Sequence, residues 1–250
     1  MPLFVRGHRK VEFTTPGNRF FSDISRALDE IDTSVKAVRQ MGTADHVTFN
    51  MSSAFSYYWM MPKMRAFHDR HPDIDLRLQI SDRDPDIDLE NISLAIRIGD
   101  GNWPGVHAAR IADEVIMPVA SPQAMQAARN LRSIPNLMNE RLIHLEEPIR
   151  ERPNWEQWFA HNGIRDREFR AGLRLNDYAL VLQAAVAGEG FAFGWDHIVQ
   201  QRNLLVGRPD WAWKTGNGVF LAWSNNKPLV PQAELVRNWV ISVAGDRKDD

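Results

Sequence analysis

No cysteine occurs in the 250 residues. Disulfide bonds and thiolate metal sites are therefore excluded, and the simplest compartment is the cytoplasm. No apolar run approaches the roughly 18 residues of a membrane-spanning helix. The basic start is followed only by Leu3-Phe4-Val5, so the apolar core of a secretory signal, about 7–15 residues, is also lacking. Neither charge sign is in excess, with 30 Lys and Arg against 32 Asp and Glu, which argues against a polyanion-binding surface over the whole chain.

Several catalytic signatures are missing as well. There is no G-x-S-x-G elbow and no P-loop. The stretch GEGFAFG has Phe193 where a dinucleotide fingerprint needs its third glycine, and it precedes a strand instead of opening a helix. Asp82, Asp84, Asp86 and Asp88 alternate as in a calcium loop, but Ile87 and Ser93 stand where that loop needs Gly and Glu. His68 and His71 lack the intervening Glu of the zinc-protease helix. His144 with Glu146 is the one tempting acid–base set. No metal, cofactor or catalytic residue is expected.

What is present is asymmetric. Residues 1–20 hold Arg6, Arg9, Lys10 and Arg19 against Glu12, a short basic end on a mildly acidic body. LFVR and KVEFT are β-prone runs joined by GHR, a tight-turn sequence. Thr15 and Pro16 suit the N-cap and first position of a helix. Phe21, Ile24, Leu28, Ile31, Val35 and Val38 then recur at alternating spacings of three and four. Such a narrow seam on a helix of about 26 residues fits pairing with a second helix better than burial in a core. The helix is expected to stop near Met41-Gly42-Thr43.

From residue 46 strands alternate with helices. The strands are HVTFNMS, IDLRLQIS, ISLAIRIG, ADEVIMPVAS, RLIHLE, FRAGLRLN, FAFGW and GVFLAWS. The helices lie in SAFSYYWMMPKMRAFHDRHP (with Pro62 at a break or restart), SPQAMQAARN, NWEQWFAHNG, DYALVLQAAVAGEG, DHIVQQRNLL and PQAELVRNWVISVA. This pattern predicts an α/β fold with largely parallel sheets. Trp155 and Trp158, at helical spacing, read as core. Ser52-Ser53, Ser121-Pro122 and Asn176-Asp177 join strand ends to helix N-termini, where open α/β sheets bind ligands and where anions are favoured.

These parts resemble one family, the LysR-type transcriptional regulators. Leu3-Phe4-Val5-Arg6 and Phe13-Thr14-Thr15-Pro16-Gly17 are similar to the wing of its winged helix-turn-helix and the start of its linker helix. WMMPKMRAFHDRHPDIDLRLQIS, SLAIRIGDGNWPG, MPVASPQAM and LNDYALVLQAAVAGEGFAFG look like successive landmarks of its effector domain. AIRIGDGNWPG is closest in form to the branch of the glycine-cleavage activator and the β-lactamase regulator. Ala54 departs from relatives in that branch that carry a polar residue there.

The resemblance implies two Rossmann-like lobes akin to a type 2 periplasmic binding protein, preceded by a wing hairpin and a linker helix. It places the wing at 1–15, the linker at 16–43, lobe I at 44–119 plus 222–245 and lobe II at 120–221. It implies that the chain starts in mid-wing, without the helix that enters the major groove. Arg6, His8, Arg9 and Lys10 would touch DNA phosphates, which position a protein without specifying sequence. A small effector would sit between the lobes, near Ser52, Ser53, Ala54, Phe55, Ser81, Asp82, Asp86, Arg97, Trp103, His144, Asn176, Asp177, Phe193 and Trp195. Implied partners are DNA, a metabolite, a second copy in a dimer or tetramer, and RNA polymerase, with no membrane and no cofactor. The alternatives are a stand-alone dimerising remnant and a periplasmic-type solute receptor.

Overall fold

The computed structural model describes residues 2–6, 11–40, 46–81, 83–128, 131–147, 152–165, 172–199 and 205–245. These divide into two units, one formed by residues 1–45 with 88–91 and the other by the remainder.

In the first unit, β1 (Phe4–Arg6) pairs antiparallel with β2 (Val11–Phe13), Phe4 opposite Phe13. The turn between them lies outside the described residues, as do His8, Arg9 and Lys10. Helix α1 (Thr15–Gln40) follows. Its N-terminal hydroxyl comes from Thr14, whose Oγ1 accepts from Gly17 N at 3.0 Å and donates to Pro2 O at 2.9 Å. Thr14 thus takes the cap expected of Thr15. Gly17 permits the hairpin to lie this close, because a Cβ there would stand 2.0 Å from Leu3 O. The Phe4, Phe13 and Phe21 rings succeed one another at 5.1 Å. Beyond them Ile24, Leu28, Ile31 and Val35 are exposed, Leu28 and Ile31 at 59%. The expected helix end at 41–43 and the side chain of Val38 lie outside the described set.

The second unit is built on a seven-stranded sheet. Its strands are β3 (His46–Met51), β4 (Asp75–Ile80), β5 (Leu94–Gly99), β6 (Val106–Ala120), β9 (Ala192–Trp195), β10 (Val206–Gly207) and β11 (Trp213–Ser224). The order is β10-β6-β11-β5-β3-β4, with β9 also on β6. Only β3–β4 and β3–β5 are parallel; β11–β5, β11–β6, β6–β9 and β6–β10 are antiparallel. The sheet is therefore mixed, not largely parallel. The reason lies in two long strands that run through both lobes in opposite directions. β6 begins six residues before the predicted 112, and β11 begins five before the predicted Gly218. Helix α2 (Met61–Arg70) lies between β3 and β4, and α8 (Pro231–Gly245) follows β11. Between β6 and β11 the chain carries α3 (Pro122–Ala127), α4 (Ile134–Leu137), α5 (Trp155–His161), α6 (Tyr178–Val186), α7 (Asp196–Val199) and a parallel pair, β7 (His144–Leu145) with β8 (Arg174–Leu175).

Local chemistry explains the junctions. Residues 55–60 form a π-helical turn immediately before α2, in which Pro62 falls at the start. Pro62 has no N–H to donate and its ring would crowd a preceding carbonyl, so the ladder widens there and restarts. Asn154 and Gln157 form a reciprocal capping box on α5. Trp155 and Trp158 are buried as expected, with Trp155 Nε1 donating to Ile143 O at 2.9 Å. Gly190, at φ 158°, lets the backbone pass where a Cβ would stand 2.4 Å from Arg141 O. Gly190 and Gly194 of GEGFAFG thus serve close packing, while Gly188 takes a positive φ of 85° after α6. One continuous core joins Phe49 of β3 and Leu221 of β11 to Trp158 of α5 and Leu182 of α6.

Candidate functional site

A hollow with walls from both lobes lies in the second unit. Ser52, Ala54, Phe55, Ile96 and Ile98 come from β5 and the segment after β3; Leu145, Glu147, Arg152, Tyr178, Trp195, His197 and Ile198 come from the stretch between β6 and β11. The space between them measures about 30 Å³, room for about one water molecule. Ligand sites of drug-like size run to about 300–1,000 Å³, so the lobes are drawn close together.

Each wall is fixed by its neighbours. Ser52 ends the β3 segment and accepts from Phe55 N at 3.3 Å, capping the helical run. Phe55 stacks on Trp59 at 4.7 Å. The Tyr178 hydroxyl donates to Phe193 O at 3.1 Å and accepts from Trp195 N at 2.9 Å, pinning β9 to the start of α6. Full burial pushes its ionisation far above the ordinary tyrosine range, so it stays a neutral donor. Glu147 and Arg152 form an ion pair at 3.2 Å with side chains 5% and 14% exposed.

Trp195 also reaches the crossover strands. Its Nε1 donates to Glu114 Oε1 at 2.9 Å. The other Glu114 oxygen accepts from Thr215 Oγ1 at 2.6 Å and Asn217 Nδ2 at 3.1 Å. Glu114 is buried on β6, opposite the point where β11 slips register between Lys214 and Gly218. A fully coordinated carboxylate therefore ties the cleft wall to the bulge where both crossover strands bend.

Of the residues expected near an effector, Ser52, Ala54, Phe55 and Trp195 meet in this hollow. Ser53 opens instead into a wider depression of about 410 Å³ with Tyr57, Met61, Ile80 and Leu180. Its Oγ is buried there without a hydrogen-bond partner among the described residues. Arg97 alternates with Ile96 and Ile98 along β5 and so faces away from the hollow; its Nη2 donates to Pro85 O at 2.7 Å. Trp103 packs edge-on against Phe220. Ser81 bonds locally to Arg83, and Asp86 is exposed. Asp82 lies outside the described residues, as does the side chain of Arg6. Asp177 is the N-cap of α6, accepting from Leu180 N at 2.9 Å, and Asn176 beside it is exposed. Phe193 stacks on Trp155 at 3.9 Å within the lobe II core.

His144 is half-buried outside the hollow. Burial first, and then the Arg174 cation, push its pKa below the ordinary value, while Glu146 pulls the other way. Glu146 itself pairs with Arg174 on the surface. The acid–base pair read from the sequence is thus not in the cleft. Glu147, Arg152, Tyr178 and His197 are, and none of them stood out in the sequence. For Tyr178 a signal existed: it follows the Asp177 cap directly, at the strand-to-helix junction already singled out.

The geometry has close counterparts. Residues 40–245 match the LysR substrate binding domain family. The chain is 24% identical over 253 residues to the glycine cleavage system transcriptional activator of Escherichia coli K12, covering 100% of this chain and 81% of that protein. The effector domain of the transcriptional regulator AmpR of Pseudomonas aeruginosa superimposes with a TM-score of 0.66 at 23% identity, over 81% of this chain and 96% of that one. CrgA, a LysR-type transcriptional regulator from Neisseria meningitidis, does so with a TM-score of 0.64 at 15% identity, over 98% and 84%. The family match over most of the chain and the two lobes joined by crossover strands agree: this protein belongs to the LysR substrate-binding domain family.

Proposed function

We propose that the chain is the effector-sensing portion of a LysR-type transcriptional regulator, in which a small metabolite held between the lobes controls how the protein acts on DNA. The observation that carries this reading is the hollow walled by both lobes, with Trp195 linked through Glu114 to the crossover strands. A ligand there touches both lobes at once and so biases their relative position, which is what a two-state sensor requires. We place lobe I at 44–119 plus 222–245 and lobe II at 120–221. The exposed seam of α1 supports pairing with a second copy, and it favours a regulator over a solute receptor. In this reading the hairpin is the wing that touches DNA phosphates, the protein works in the cytoplasm without catalysing a reaction, and RNA polymerase is its downstream partner. Among the described residues no helix is long and apolar enough to cross a membrane.

A thermal-shift screen against amino acids, organic acids and cell-wall fragments tests this. At a hundredfold excess over Kd a ligand adds about 2.7 kcal/mol, or about 5–10 °C for a domain of this size. The shift is expected to vanish in Ile98→Trp, which fills the hollow. A hit undiminished by that plug would place ligand binding elsewhere and overturn the reading.

A further inference from the structure

The geometry points to a small zwitterion, a molecule carrying one carboxylate and one ammonium close together, as the ligand class of this cleft. The inference rests on the effector reading above. Its basis is the Glu147–Arg152 pair. Both side chains are almost wholly buried, and both line a space otherwise dominated by Phe55, Ile96, Ile98, Tyr178 and Trp195. The pair is held by one contact, Arg152 Nε donating to Glu147 Oε2 at 3.2 Å. Among the described residues neither charged group has another polar partner. Among the described residues the second Glu147 oxygen and the two Nη groups of Arg152 make no further hydrogen bond.

An acid and a base facing each other in an apolar cleft discriminate by charge. A ligand with a lone carboxylate can take Arg152 only by leaving Glu147 uncompensated, and a lone ammonium leaves Arg152 in the same position. Either orphan is a buried charge without a partner, the expensive case. A zwitterion replaces each partner with its own opposite charge, so both protein groups stay paired as the lobes part to admit it. Size follows from the closeness of the walls, since only a compact molecule enters without pulling the lobes far apart. Ser52 adds a donor, because its oxygen accepts from Phe55 N and its own O–H is left for a carboxylate.

The test is calorimetric titration of the 250-residue protein with compounds matched in size. Glycine and alanine, in both hands, carry both charges; propionate carries only the carboxylate and ethylammonium only the ammonium. The remaining proteinogenic amino acids extend the first group. At least one zwitterion is expected to bind at least tenfold more tightly than either singly charged compound. Glu147→Gln and Arg152→Gln should each weaken it by about thirtyfold or more, since each leaves a buried charge unpaired. Both variants are first checked for the wild-type circular dichroism spectrum. Arg152→Lys, which keeps the charge, replaces Arg152→Gln if that variant does not fold, and is expected to retain part of the affinity. If propionate binds as well as the amino acids, loses its binding in Ile98→Trp and ignores Glu147→Gln, the zwitterion assignment falls and the effector cleft stands. If amino acids bind but ignore Ile98→Trp and both charge-neutral variants, the cleft is not their site and the assignment falls with it. If no compound of either group binds, the assignment is overturned, while a hit of other chemistry in the wider screen would still uphold the cleft.

Discussion

His144 gives the molecule a pH dependence that can be worked out from its surroundings. Burial and Arg174 hold its pKa below the ordinary value, so the folded chain takes up this proton later than the unfolded chain as the pH falls. Its contribution is complete above the ordinary histidine value of about 6.5 and is lost as the pH drops from there toward the folded value. The melting temperature should therefore fall on acidification below about pH 6.5. His144→Gln should flatten that slope while leaving the melting temperature at pH 8 little changed; an unchanged slope would mean other groups dominate. Trp158 gives a second prediction. It is fully buried in lobe II, and Trp158→Ala should cost about 3–5 kcal/mol in urea denaturation. The two residues differ in how visible they were. Trp155 and Trp158 announced a buried helix face through spacing alone. Arg97 is a candidate through the position the resemblance matches near the end of the third strand, yet strand alternation turns it away and brings Ile96 and Ile98 to the hollow. In a run as apolar as LAIRIG, nothing local says which alternate face lines the hollow.

At the scale of elements, the bulged crossover strands hold the most consequential interactions. Glu114→Ala removes the common acceptor of Trp195, Thr215 and Asn217 and leaves the buried Trp195 Nε1 without a partner. A loss of about 2–4 kcal/mol is expected, measured by chemical denaturation. Glu114→Gln, which keeps the shape and one acceptor, should cost less and should also change the fluorescence of Trp195. No measurable loss in either variant would show that the carboxylate network is unimportant. The order of strands and helices was legible because each strand ends in turn or cap residues and each helix carries its own start signal, as Ser121, Asn154 and Asp177 do. The direction of the strands was not. Alternation suggests parallel pairing by default, and the antiparallel pairing of β11 with β5 and β6, and of β9 and β10 with β6, makes the sheet mixed.

At the scale of the whole molecule, the seam of α1 predicts self-association. Leu28→Glu places a charge in the middle of that seam and should turn a dimer into a monomer in light scattering, with the circular dichroism of the second unit preserved. A dimer that survives would assign self-association to another surface. The seam was readable because its apolar positions lie within one helix, at fixed spacing. The cleft is assembled from segments nearly 150 residues apart in sequence, from Ser52 to Ile198, and no local pattern encodes their meeting. The shared sheet has a further consequence. β6 and β11 supply hydrogen bonds to both lobes, and a single core runs through them. Neither lobe can lose its structure and leave the other intact, so damage in one is felt in full by its neighbour. Calorimetry should find one melting transition for the second unit, with van't Hoff and calorimetric enthalpies in agreement. The two walls of the hollow thus share one fate under heat.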